Sequence, residues 1–158
     1  MSYNNFLYLL NDALSNQQIS LALDSVKTFK AADLADILAQ LPLENSQKLL
    51  LNLPARAYVF SYLKPEEQVK FAQVLTRIDL AEIMGEMPSD KRVDLFKCLD
   101  HEQQNALLPA FAQAEREDIR QLSSYVEGTA GAIMSSEYAT LKPNISVKDA
   151  IKMLRYEA

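Results

Sequence analysis

Glycine is almost absent from this chain of 158 residues. There are three, Gly85, Gly128 and Gly131, and none in the first 84 positions. That excludes a glycine-rich phosphate loop over the first half. It also predicts segments punctuated by proline and polar caps. A single cysteine, Cys98, excludes an internal disulfide and suits a reducing compartment. A single histidine, His101, argues against zinc or iron, which take several His or Cys ligands. The N-terminus lacks a basic region and a small-residue cleavage site, and no run approaches the roughly 20 apolar residues needed to span a bilayer. The chain is therefore expected to be soluble, with no membrane insertion of its own. No basic excess exists either: net charge is −5, which excludes nucleic acid as an expected partner. G-x-S-x-G elbows, P-loops and paired Cys/His motifs are missing, so the chain is not expected to be an enzyme.

What is present is repetition. Asp33 to Leu53 reads DLADILAQLPLENSQKLLLNL, and Asp79 to Leu99 reads DLAEIMGEMPSDKRVDLFKCL. The offset is 46 residues throughout, and Leu49, Leu50 and Leu53 recur as Leu95, Phe96 and Leu99. Helices are predicted over about Asn5–Leu14, then from a cap at Asn16 with Ile19, Leu23 and Val26 on one face, then from Ala31 or Asp33 to Leu41. Further helices are predicted over Leu43–Leu53, Pro54–Leu63, Pro65–Arg77, Asp79–Met87, Ser89–Leu99, Glu102–Ala114 and Arg116–Tyr125. Their ends, near Leu41, Leu53, Leu63, Leu75, Met87 and Leu99, fall mostly 12 residues apart. Helices this short are marginal alone and must stack, which is the logic of a helical solenoid of armadillo or HEAT period. Cys98 and the aromatic set Tyr58, Phe60, Tyr62 and Phe71 read as packed core. His101 reads as a solvated residue at a helix start.

The texture changes after Tyr125. Two glycines, a β-prone run from Tyr138 to Leu141, a Lys142-Pro143-Asn144 turn, and a Ser146/Asp149 capping pattern before Val147, Ala150, Ile151 and Leu154 look like the opening of an α+β domain. The expected division is a helical domain over 1–126 and a linker with an incomplete second domain over 127–158.

Charge singles out one stretch. Asp79 to Glu127 carries 11 acidic and 5 basic residues, against 10 and 11 elsewhere. Such a field draws cations or a basic partner, and equally serves as a solvated face. Asp90 and Asp94 lie four apart on a predicted helix and share a face. Mg2+ accepts one or two carboxylates plus waters, so the pair supplies at most half a site. The plain structural reading is that Asp90 favours a helix N-terminus and Asp94 pairs with Lys91 or Lys97. Glu82 and Glu86 form another i,i+4 pair. Asp79 and Glu82 recapitulate Asp33 and Asp36, but Glu86 departs from its counterpart Gln40 and stays a candidate. The first copy places Glu44 opposite Asp90 and Lys48 opposite Asp94.

The junction carries a family resemblance. Tyr125, Gly128-Thr-Ala-Gly131-Ala-Ile-Met134, Tyr138 to Leu141, and Val147-Lys-Asp-Ala150-Ile-Lys-Met-Leu154-Arg155 resemble the passage from the helical N-domain into the first CBS domain of MgtE-type magnesium transporters. The Asp-Leu-Ala repeats resemble that family's right-handed superhelix of short helical hairpins. The resemblance implies an all-α N-domain followed by an incomplete α+β CBS segment, on the cytosolic face of the membrane. It implies a regulatory, magnesium-sensing module that gates a pore by Mg2+-dependent docking onto CBS domains. The implied partners are the CBS and transmembrane domains of the same transporter, within a homodimer. Met87-Pro-Ser-Asp90-Lys91-Arg-Val-Asp94-Leu95 matches the family's acidic pattern at Asp90 and Asp94, while Lys91 stands where a carboxylate is common and Tyr58 where some relatives carry glutamate. The implied metal residues are Asp90, Asp94 and Glu86, holding Mg2+ weakly and jointly with residues outside this chain. A helical-repeat scaffold for protein–protein contact, with no ion role, is the alternative.

Overall fold

The computed structural model describes residues 2–126, 128–136 and 138–157. Among them the regular structure is helical throughout: α1 (Tyr3–Ser15), α2 (Ile19–Val26), α3 (Ala31–Gln40), α4 (Leu43–Asn52), α5 (Arg56–Ser61), α6 (Pro65–Val74), α7 (Arg77–Gly85), α8 (Ser89–Cys98), α9 (His101–Leu107), α10 (Gln113–Ser123) and α11 (Val147–Glu157), with 3-10 turns at Leu108–Ala110 and Ala130–Ile133. The 46-residue offset survives in space, since α3 and α4 start 46 positions before α7 and α8.

From α2 to α10 the helices form two layers. α3, α5, α7 and α9 stack in one, and α2, α4, α6, α8 and α10 in the other. Each helix thus touches the next but one, as a solenoid requires. The residues expected at element ends, Leu41, Leu53, Leu63, Leu75, Met87 and Leu99, are all buried, with Phe111 continuing the series. At Leu41, Leu53, Leu75 and Leu99 the backbone turns extended and the side chain enters the core between layers.

Connections of two or three residues join α3 through α9. That brevity has a chemical cost, because the last carbonyls of each helix have no helical partner. The fourth residue of the following helix supplies one. Ser46 Oγ donates to the Leu38 carbonyl at 2.7 Å, and Gln68 Nε2 to Phe60 at 3.0 Å. Gln104 Nε2 donates to Phe96 and Leu99 at 2.9 and 3.0 Å, and Arg116 Nη1 to Phe111 at 2.6 Å. Arg92 does most: Nε reaches Met84 at 2.7 Å, and Nη2 reaches Gly85 and Met87 at 2.9 Å each. Helical side chains lean toward the N-terminus, so a residue in the first turn points back at the helix just ended. Ser46 and Arg92 are the same position in the two repeat copies.

Several expectations are corrected. Asn16 closes α1 rather than opening α2, and Gln17 takes a left-handed φ of 58° while Gln18 N–H bonds back to Ala13. The turn has the form a glycine would favour, in a region that has none. The helix expected over Glu102–Ala114 stops at Leu107, because Pro109 lacks the N–H that would continue it. α10 accordingly starts earlier than Arg116. The run from Tyr138 to Leu141 is exposed and forms no strand, since no described segment pairs with it. Ser146 caps α11 as expected, accepting from Asp149 N–H at 3.2 Å, and no described side chain of α11 is buried. The expected domain boundary at Glu127 lies outside the described residues. No described helix is long and apolar enough to cross a membrane.

Removing a carbonyl staple leaves buried acceptors unpaired. Ser46→Ala is expected to lower unfolding free energy by about 1 kcal/mol, and Arg92→Met by about 3 kcal/mol. Urea denaturation measures both, and equal small losses would contradict the greater role of Arg92.

Candidate functional site

α8 opens on Ser89 behind Pro88, whose extended backbone ends the preceding turn. Its inward face carries Arg92, Val93, Leu95 and Phe96, all buried. Helical spacing then sends Asp90, Lys91, Asp94 and Cys98 to the other side. Asp90 is half-buried in the first turn, and Asp94 is exposed one turn on. Their spacing is that of Glu44 and Lys48 in the first copy, where Lys48 Nζ bonds Glu44 at 2.7 Å. That hydrogen bond, and then the lysine charge, hold the Glu44 carboxyl below its ordinary range. The pairing therefore contributes above the ordinary glutamate pKa and is lost as pH falls through the lowered value. In the second copy Asp94 replaces the lysine, so two carboxylates stand four residues apart on the outward side of the helix. The expected pairing of Asp94 with Lys91 or Lys97 does not form among the described residues, and Asp90 makes no ion pair there.

Asp90 and Lys91 line a groove of about 550 Å³ with Tyr58, Ser61, Tyr62 and Pro88. Tyr58 and Tyr62 are 54% and 50% exposed, not core as the sequence suggested. They are four apart, Tyr58 within α5 and Tyr62 at its C-cap, while Val59 and Phe60 take the inward positions. Their rings meet edge to face at 5.2 Å, and their hydroxyls are 2.9 Å apart. That hydrogen bond, with the Tyr58 charge second, pushes the Tyr62 phenol above its usual value. Phe60 and Phe71 are buried and in contact, as expected.

Glu86 is placed elsewhere. As the C-cap of α7 it lines a separate groove of about 460 Å³ with Ile78, Ala81, Glu82, Gly85, Ala110 and Glu115. Two of those acids have structural work. Glu82 pairs with Arg56 at 2.7 Å, and Glu115 accepts the Ala112 N–H at 2.8 Å, capping α10. No group of three or more His, Cys, Asp or Glu among the described residues could hold a metal ion. The largest donor set on α8 is two carboxylates, which fits Mg2+ as a partial site completed by water and outside groups. His101 is exposed at the start of α9. Cys98 is exposed rather than packed, because it continues the Asp90–Asp94 face by one more turn.

One residue of this region escaped the sequence reading. Ser89 is wholly buried where the first copy has the exposed Leu43. Its hydroxyl lies 2.9 Å from that of Ser135 and accepts the Ser136 N–H at 3.1 Å. The signal was its departure from its repeat partner, the same signal that marks Asp94. The junction motif also has a packing reason: a Cβ on Gly131 would lie 2.5 Å from two atoms of the Tyr125 ring.

Restoring the first copy's pairing should relieve the repulsion on α8. Asp94→Lys is expected to stabilise the chain by about 0.5 kcal/mol at low salt, with the gain shrinking in high salt. Thermal unfolding at two ionic strengths measures it, and a salt-independent or negative effect would contradict a bare acidic pair.

No curated protein sequence matches this chain. Among the solved structures that share its fold are two from magnesium transport proteins. One, "the soluble part of a magnesium transporter", superposes with a TM-score of 0.84 at 24% identity, covering 99% of this chain and 62% of that one. The other, "the cytosolic domain of the Mg2+ channel MgtE in complex with ATP", superposes with a TM-score of 0.85 at 26% identity, covering 96% of this chain and 63% of that one. The chain thus spans less than two thirds of either structure. Residues 29–128 match the family described as the MgtE intracellular N domain. That match takes in more than half of the sequence, and the chain belongs to the MgtE intracellular N domain family.

Proposed function

We propose that this chain is the regulatory, magnesium-sensing module of a magnesium transporter or channel, acting on the cytosolic side by docking onto CBS domains in a Mg2+-dependent way. Its partners would be the CBS and transmembrane domains of the same transporter, within a homodimer. The observation that carries this reading is the acidic pair on α8. Asp90 and Asp94 stand where the first repeat copy holds a closed salt bridge, and among the described residues neither forms an ion pair.

Two carboxylates at helical spacing repel each other and any acidic surface brought against them. A shared Mg2+ would supply the positive charge that lets the faces meet, with Asp90 and Asp94 holding it from this side, directly or through water. Screening limits such a contact to close approach, about 8 Å at physiological salt, so the response is a docking event rather than a long-range pull. The α8 scaffold suits the task, because Arg92 fixes its first turn to the end of α7 and Val93, Leu95 and Phe96 fix its inward face. Glu86, in its separate groove, would serve a different ion or none.

A scaffold reading is favoured by one feature, the exposed Tyr58–Tyr62 pair beside Lys91. Two phenols and an ammonium suit direct protein contact without an ion. The two readings part on Mg2+ dependence. In the protein that carries this chain joined to its CBS domains, millimolar Mg2+ is expected to raise the melting temperature and slow proteolysis at the junction. Asp90→Asn with Asp94→Asn should abolish most of that gain. Identical melting and digestion with and without Mg2+, at matched ionic strength, would favour the scaffold.

A further inference from the structure

We infer that Ser89 and Asp118 are positioning residues that latch the strap 130–136 onto α8 and α10, so that the strap belongs to the helical body and the pivot for the segment beyond it lies in 138–144. This rests on the proposed function only for what α8 does; the latch itself is independent of any ion.

Three observations support the latch. Ser89 bonds both Ser135 and Ser136, and it is fully buried where its repeat counterpart Leu43 is exposed. Ser136 in turn donates its hydroxyl to Asp118 Oδ2 on α10 at 2.8 Å. At the other end of the strap, Gly131 lies against the Tyr125 ring so closely that no Cβ fits without displacement. Tyr125 is itself packed on the core. The strap is therefore held at both ends, with its 3-10 turn touching α10 between them.

Residues 138–144, by contrast, are exposed at every position and belong to no helix or strand. Pro143 sits within them and offers no backbone N–H. A backbone without buried contacts bends at little cost, whereas the strap must break several hydrogen bonds to move. Ser89 and Asp90 are consecutive on α8. Any tilt of the acid-bearing first turn is thus passed directly to Ser135 and Ser136, and the strap reports on α8 as a rigid arm.

Hydrogen exchange of the full chain in Mg2+-free buffer tests this. The Ser136 amide is expected to exchange roughly tenfold or more slowly than the amides of 139–142, the worth of about one hydrogen bond. Ser89→Ala should remove that protection while amides of α3 and α4 keep theirs, which separates loss of the latch from loss of the fold. Asp118→Ala should weaken it and Asp118→Asn, which keeps an acceptor, should retain it. Gly131→Ala should speed exchange across 130–134. Equal exchange of Ser136 and 139–142 in the unmodified chain, or protection unchanged in Ser89→Ala, overturns the latch. Either result leaves the Mg2+ reading to stand on its own test, since no ion is present.

Discussion

A helix cannot end inside a protein without something to take its last carbonyls, and this chain ends helices inside itself repeatedly. The fourth residue of the next helix answers that constraint at α4, α6, α8, α9 and α10. Serine, glutamine and arginine all serve, because the requirement is a donor of suitable reach rather than a particular residue. With the carbonyls satisfied this way, connections stay at two or three residues and a buried leucine, methionine or phenylalanine closes each one. The scarcity of glycine is a consequence, since most of these helices end in extended backbone instead of a left-handed turn.

The same device fixes α8, the helix proposed to carry the cation-accepting face. Arg92 is 4% exposed and aims its guanidinium at carbonyls of α7 and of the turn beyond it. A buried guanidinium tolerates desolvation only when its donors are met, so the start of α8 is held to the end of α7. Asp90 and Asp94 ride on that fixed frame. Ser89, one residue before Asp90, carries the connection onward to the strap. The first copy of the repeat uses the same frame for a serine staple and a closed Glu44–Lys48 pair. What separates a structural hairpin from a candidate sensing one is three substitutions on one helix: Leu43 to Ser89, Ser46 to Arg92, and Lys48 to Asp94.

Much of the architecture was legible in the sequence because it is periodic. The 46-residue offset, the prolines that mark the starts of α4, α6 and α8, and the buried residues 12 apart all read correctly. Features that depend on reach across space did not. Nothing in the sequence pattern set Arg92 apart, although its burial is what staples α7 to α8. Cys98, Tyr58 and Tyr62 looked apolar enough for the core, but a helix has an outside, and period 3.6 places them on it. Pro109 breaks a helix that its neighbours' pattern would have continued. The run from Tyr138 to Leu141 has strand-forming residues and no described neighbour to pair with. Of the candidate site, the pairing of Asp90 with Asp94 was visible, while the separation of Glu86 into a groove whose other acids are occupied required coordinates.

The claim at the centre is that α8 presents a cation-accepting face to whatever docks there. Mn2+ can replace Mg2+ as a paramagnetic probe of this chain by itself, with amide line broadening reporting where the ion dwells. Broadening centred on residues 90–94 and lost in the Asp90→Asn, Asp94→Asn variant is the expected result. Broadening centred on Glu82, Glu86 and Glu115, or spread evenly over the acidic surface, would contradict it.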